Sequence, residues 1–308
     1  MLDDFTNKLI RCTICPRNCK ANRFSHKLGY CKSDASFAVS SIVVHKGEEP
    51  VIGGDKGVCN IFFSRCNLQC IYCQNYQISC VNSTIIENKF TLDEIVEKII
   101  TILKTGVNTI GFVSPTHFTP HVKAIINSLH SKNYHPTTVY NTNSYDKVDT
   151  LKGLEGMIDI YLPDFKYMEY DLSKKFSDAK DYPDIAAKAI KEMYRQKGST
   201  LVKDEDGNAE SGLIIRHLVL PGYIENSLKV LRFIADKLST NIHISLMSQY
   251  HPVRNINEYP NLNRKLSDEE YSIIINEMET LGFHRGWMQD LESSDTYLPD
   301  FNNEHPFE

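Results

Sequence analysis

Three cysteines in the run Cys66-Asn-Leu-Gln-Cys70-Ile-Tyr-Cys73 carry the strongest chemical signal in the sequence. A [4Fe–4S] cube has four irons and is ordinarily held by four thiolates. A loop of three leaves one iron open to a substrate, which a purely electron-carrying cluster does not need. Zinc is the competing occupant, but structural zinc sites want four ligands and catalytic ones usually include histidine or carboxylate. The nearest histidines in sequence are His45 and His117, so the spacing favours iron–sulfur over zinc. A second set, Cys12, Cys15, Cys19 and Cys31, offers four thiolates, enough to close a site. Zinc and a second, fully ligated iron–sulfur cluster both fit that count. Its role is then either to staple a small lobe or to relay electrons. Pro16 and Arg17 predict a tight turn there, with a cation beside a thiolate-rich site. Of the nine cysteines, Cys59 and Cys80 remain. Both read as small buried apolar side chains, with Cys80 close enough in sequence to Cys73 to be a redox neighbour.

Such loops have to be held by a scaffold. The chain has 308 residues, 41% of them hydrophobic and 24% charged, which suits one large domain with an appendage. Residues 1–58 hold the first cysteine set, many basic side chains and little helical periodicity, as expected for a metal-binding lobe without a core of its own. From Cys59 onward, short apolar runs alternate with amphipathic stretches. The runs at 60–64, 109–113, 138–141, 157–162, 213–220 and 241–247 read as strands covered on both faces. Helices are expected at 92–104, 120–131, 147–154, 184–196, 226–237 and 267–281. The first and last open on capping boxes, Thr91 with Glu94 and Ser267 with Glu270. Six strands alternating with helices predict an α/β fold, a partial (β/α)6 TIM-type barrel over residues 59–285. Residues 201–210 are charged and read as an excursion before the fifth strand. Residues 286–308 are expected to form an irregular cover over one barrel end. The three-cysteine loop follows the first strand directly, at the end of the barrel where active sites lie.

CNLQCIYC after a strand resembles the CxxxCxxC motif of the radical S-adenosylmethionine (SAM) enzymes. Together with CTICPRNC, CQNYQIS and IYLPDFKY, it extends a resemblance over nearly the whole chain to the stand-alone proteins related to pyruvate formate-lyase activating enzyme. The resemblance implies that Cys66, Cys70 and Cys73 bind a [4Fe–4S] cluster whose open iron chelates SAM, and that Tyr72 lies against the adenine. It also implies reductive cleavage of SAM to a 5′-deoxyadenosyl radical, which takes hydrogen from a substrate. That substrate is expected to be a glycyl radical enzyme or another protein or peptide. A small molecule is the alternative, and a non-catalytic zinc module the third reading. An electron donor such as flavodoxin or ferredoxin is implied as a partner.

Further binding groups are expected at the strand ends. Ser114 and Thr116 stand where the family usually has a glycine-rich segment; Gly-Gly-Glu is absent here. Asn141 and Asn143 offer short polar groups to a ribose or carboxylate. Asp164-Phe-Lys166 resembles the Asp-x-Lys pattern of activating enzymes. Arg216 and His217 are neighbours on one strand, so only one can face the barrel interior; an inward arginine suits a carboxylate. His117 and His251 are open between ligand contact and packing. The net charge of −5 argues against nucleic acid. No apolar run approaches the ~18 residues of a membrane span. The acidic start without a signal core predicts a cytoplasmic chain.

Overall fold

A computed structural model describes residues 4–25, 27–292 and 298–307. In chain order the elements begin α1 (Asp4–Ile10), β1 (Phe37–His45), β2 (Val58–Phe63), α2 (Tyr76–Ser79), β3 (Asn88–Phe90) and α3 (Leu92–Leu103). They continue β4 (Thr109–Val113), α4 (Thr119–Ser131), β5 (Thr137–Thr142), α5 (Val148–Lys152), β6 (Ile160–Pro163), α6 (Tyr170–Ser177) and α7 (Tyr182–Lys197). The last are β7 (Val202–Lys203), β8 (Ala209–Leu218), α8 (Ile224–Lys237), β9 (His243–Met247), α9 (Asp268–Leu281) and β10 (Gly286–Met288).

Strands β2, β4, β5, β6, β8 and β9 are the six expected ones, and they pair in that order, all parallel. Every residue of β2, β4 and β6 is buried. Continuous apolar runs are what a sheet covered on both faces demands. The sheet runs from β10 at one edge to β3 at the other, an open partial barrel. The excursion before β8 is a short hairpin, β7 paired antiparallel with β8.

The sheet crosses both expected domain boundaries. β1, in the segment assigned to the lobe, pairs antiparallel with β2, with Ile42 opposite Ile61. The sheet therefore begins at Phe37, not at Cys59. Its burial alternates poorly because Ser40 and Ser41 interrupt it beside a register shift, which hides the strand in the sequence. β10, three residues long, adds in parallel to β9, beyond the expected end at 285. Gly286 makes that addition possible. Its φ of +119° is in the region open to glycine, and a Cβ there would lie 1.9 Å from the Ile244 carbonyl oxygen. Gly286→Ala is expected to cost roughly 2–5 kcal/mol, read as a lowered denaturant midpoint.

Both capping boxes form as expected, on α3 and α9. Glu270 of the second also accepts two bonds of 2.7 Å from the Arg264 guanidinium and one of 2.7 Å from the Gly222 amide. The Arg264 bonds, with those amides, pull its carboxyl down from 4.5 to about 2. A depressed carboxylate stabilises the fold fully above its unfolded pKa, and that contribution disappears as pH falls through the folded one. Glu270→Gln should therefore be less stable than the parent at neutral pH, with the gap closing between pH 4.5 and about 2. Melting curves of both chains across that range measure it.

Candidate active site

The three-cysteine loop leaves β2 through Arg65, whose φ of 68° turns the chain sharply. Its amides are then taken up by its neighbours. Gln69 and Ile71 donate to the Ser177 and Phe176 carbonyls at the end of α6, at 3.3 and 2.8 Å. The Arg254 Nε donates to the Ile71 carbonyl at 2.9 Å. The sulfurs have partners as well. Leu68 N–H donates to Cys66 Sγ at 3.4 Å, as does Asn143 Nδ2. Ser177 Oγ lies 3.0 Å from Cys70 Sγ, and Ser79 Oγ 3.2 Å from Cys73 Sγ. Burial, with the neighbouring sulfurs adding to it, pushes the Cys66 thiol up to about 12. Burial likewise pushes Cys70 up to about 11, and Cys73 upward.

All three cysteines face one cavity of about 220 Å3 at the C-terminal ends of the parallel strands. The opposite wall is ionic. Asp164 receives Lys166 Nζ at 2.7 Å and Arg216 Nε at 2.8 Å. Arg216 Nη2 also reaches Asn141 Oδ1 at 2.7 Å, and its Nη1 lies 3.8 Å from Glu48 Oε2. Glu48 is held from behind by Asn60 Nδ2 at 2.7 Å. Burial alone would push Asp164 up, but the charges of Arg216 and Lys166 and their hydrogen bonds hold it below the usual carboxylate value. The three side chains are each 16% exposed, so the triad is desolvated but open to the cavity.

A model of the radical SAM superfamily matches residues 60–234, the stretch from β2 into α8 that builds these walls. The chain belongs to the radical SAM superfamily. It is 32% identical over 263 residues to an uncharacterized protein of Methanocaldococcus jannaschii, an alignment spanning 84% of this chain and 71% of that one. Among solved structures it resembles Streptococcus suis SuiB bound to S-adenosylmethionine, with TM-score 0.51 and 13% identity over 75% of this chain and 50% of SuiB. SuiB bound to its precursor peptide SuiA matches with TM-score 0.50 and 12% identity over 73% of this chain and 47% of that one. At those identities the likeness is one of fold, and the chain spans about half the length of these structures.

Radical SAM membership implies a [4Fe–4S] cluster and SAM. The donor set fits the cluster. Three thiols are gathered on one wall at a cost in desolvation that a cationic centre reverses, because metal-bound thiols are deprotonated outright. The facing wall fits the amino-acid end of SAM, with Lys166 and Arg216 available to a carboxylate and Glu48 and Asp164 to an ammonium.

The cavity gathers most of the expected radical SAM residues: Cys66, Cys70, Tyr72, Cys73, Ser114, Asn141, Asn143, Asp164, Lys166 and Arg216 all line it. Strand alternation resolves as Arg216 inward. His217 is buried on the other face, between the Phe165 carbonyl at 2.7 Å and Ser227 Oγ at 2.8 Å; burial pushes it down to about 4, so it packs as a neutral ring. Thr116 lies apart from the lining residues. It is fully buried and does not line the cavity; its hydroxyl lies 3.0 Å from that of Thr142, whose own hydroxyl donates to the buried Asp146 at 2.5 Å. The left-handed Ser114, with φ of 52°, ends the strand's run along the cavity before Thr116 is reached. His117 packs as well, 3.0 Å from the Ser64 carbonyl. His251 is not among the lining residues, whereas Gln249 is. Glu48 and Ser177 were missed. Glu48 sits in the segment read as lobe, and Ser177 on a helix whose apolar stripe is too short to show.

In the first cysteine set, Cys12, Cys15 and Cys31 are buried and Cys19 is exposed. Cys59 is buried and Cys80 half-buried. Among the described residues, no three histidine, cysteine or carboxylate side chains converge on the position of a single ion, at either set.

Proposed function

We propose that this chain is a radical SAM enzyme of the activating-enzyme type, taking a hydrogen atom from a protein or peptide substrate. One observation carries the reading: three cysteines of one loop share a cavity with the Lys166–Asp164–Arg216 triad. Bound there, the cluster and SAM supply an electron and a 5′-deoxyadenosyl radical. The chain's own residues do the rest. Cys66, Cys70 and Cys73 hold the cluster, and Ser177, Ser79 and the Leu68 amide orient their sulfurs. Lys166 and Arg216, kept charged by Asp164, bind the SAM carboxylate. Ser114, Asn141 and Asn143 offer contacts to the rest of the nucleotide, and Tyr72 lies beside the adenine. The buried apolar strands beneath exclude water. A flavodoxin- or ferredoxin-like protein supplies the electron. SuiB, solved with its precursor peptide, lends the peptide reading an analogy of fold.

A second reading, a small-molecule substrate, is favoured by one feature. Pro299 and Phe307 line the same cavity, and Phe307 packs on Phe62 and His45. A peptide has to displace this segment, whereas a small molecule can sit beneath it. Anaerobic reaction with a strong reductant tests both readings. 5′-Deoxyadenosine should form, and deuterium should move into it from a labelled peptide or a labelled small molecule. No 5′-deoxyadenosine at all refutes the enzyme reading.

A further inference from the structure

Residues 11–36 present a folding problem. Among the described residues of that stretch there is no helix or strand. The local core is Leu9, Cys12 and Ile14, with Phe5 and Ala35 packed against it. So little apolar surface does not offset the entropy of ordering about 25 residues. The stretch is nevertheless folded back on itself by backbone bonds, among them Cys12 N to Ala21 O at 2.9 Å, Lys20 N to Cys12 O at 2.9 Å, Arg23 N to Leu9 O at 2.9 Å and Ala35 N to Arg23 O at 3.1 Å.

A buried cation, Arg23, and a half-buried one, Arg17, add a second problem. Arg23 is 3% exposed, and its Nη1 has no partner; its Nη2 points at Cys31 Sγ, 3.8 Å away. Arg17 places its guanidinium 3.7 Å above the Tyr30 ring, and its buried Nη2 also has no partner. Among the described residues, neither arginine forms an ion pair with a carboxylate. For the buried Arg23, a guanidinium without a counter-charge is costly. Beside Arg23 stands a sulfur of the first cysteine set, Cys31 Sγ at 3.8 Å, whereas the Arg17 guanidinium lies against the Tyr30 and Tyr145 rings and the Asn67 and Asp178 carbonyls.

We propose that Cys12, Cys15, Cys19 and Cys31 bind a second metal centre as thiolates, either a zinc ion or an iron–sulfur cluster, and that the buried Arg23 offsets part of its charge. Four thiolates on a divalent ion or on an oxidised cube leave a net charge of about −2, which the cation of Arg23 partly offsets. The thiol protons leave to solvent as the metal enters. Cys12, Cys15 and Cys31 are buried, whereas Cys19 is exposed. Exposed Cys19, packed against Gly29 where a Cβ would lie 2.3 Å from its sulfur, is the ligand that moves.

The centre would also hold the active site. Arg17 Nε donates to the Asn67 carbonyl at 2.8 Å, one residue past Cys66, and its Nη1 to the Asp178 carbonyl at 2.6 Å, one residue past Ser177. One side chain from the first set therefore ties together the cluster loop and the end of α6.

The test is metal analysis of the full chain, purified and reconstituted without air, in parent form and with Cys66, Cys70 and Cys73 all replaced by alanine. The triple variant should retain about one zinc, or iron with matching sulfide, and lose it on further replacement of Cys12 and Cys31 by serine. Zinc retained identifies the ion; iron and sulfide identify the cluster. A triple variant that holds neither metal overturns the proposal. Should that variant fail to fold, the parent decides: zinc beside the iron, or iron above the roughly four of one cube, supports the second centre. Iron at that level with no zinc refutes it. Loss of 5′-deoxyadenosine formation, by contrast, would count against the proposed reaction and leave this centre untouched.

Discussion

Replacing Cys70 by alanine should remove the iron bound by the cluster loop and take 5′-deoxyadenosine formation to the background of reductant alone. Two cysteines cannot hold a cube that already lacks its fourth protein ligand. The rest of the fold should survive. Cys70 is half-buried, and its loop is held by the bonds of Gln69 and Ile71 to the end of α6, which do not involve its sulfur. Iron and sulfide analysis with near-ultraviolet absorption reads the loss, and the melting temperature reads the fold. The matched control is Cys59→Ala. Cys59 is fully buried in β2 with no place in the cavity, so this variant should keep its iron and lose only about 1 kcal/mol of packing. A Cys70→Ala chain that still cleaves SAM would contradict the assignment.

The second large effect separates two residues two positions apart. Asp164→Asn removes the carboxylate hydrogen-bonded to both Lys166 and Arg216, leaving Lys166 without that ion pair and Arg216 with the longer contact to Glu48. Breaking a buried ion pair on one side costs about 3–5 kcal/mol. The variant should therefore melt early, and SAM cleavage should collapse with it. Lys166→Met leaves the Asp164–Arg216 pair intact and should cost the fold about 1 kcal/mol or less. Its effect should fall on SAM instead. A charge-assisted hydrogen bond is worth about 1.5–3 kcal/mol, so the Kd for SAM should rise roughly 10- to 100-fold. Chemical denaturation and SAM titration of the reconstituted protein distinguish the two. A Lys166→Met chain that binds SAM as tightly as the parent would remove Lys166 from the binding site.

These contrasts rest on residues of unequal legibility. The parallel strands were readable because they are short, apolar and fully buried, and the run at 109–113 matches β4 residue for residue. The caps of α3 and α9 were readable because both boxes are local in sequence. Cys66, Cys70 and Cys73 announce themselves by spacing, and Asp164, Lys166 and Arg216 by lying at strand ends. What stayed hidden is non-local. Glu48 reaches the cavity only because β1 turns back to pair with β2, and no periodicity marks an antiparallel strand broken by two serines. Ser177 matters through contacts with residues more than a hundred positions away. Thr116 looked like a ligand because it follows a strand, yet its neighbours Thr142 and Asp146 claim its hydroxyl. A single sequence carries no signal for such a network.

The bonds that fasten the cysteine loop run from the Gln69 and Ile71 amides to the end of α6 and from the Arg17 guanidinium to the Asn67 carbonyl, none of them through a cysteine sulfur. The socket for the cluster is thus braced from two sides, by a helix of the barrel and by a side chain of the N-terminal stretch, so whatever loosens that stretch is felt at the loop.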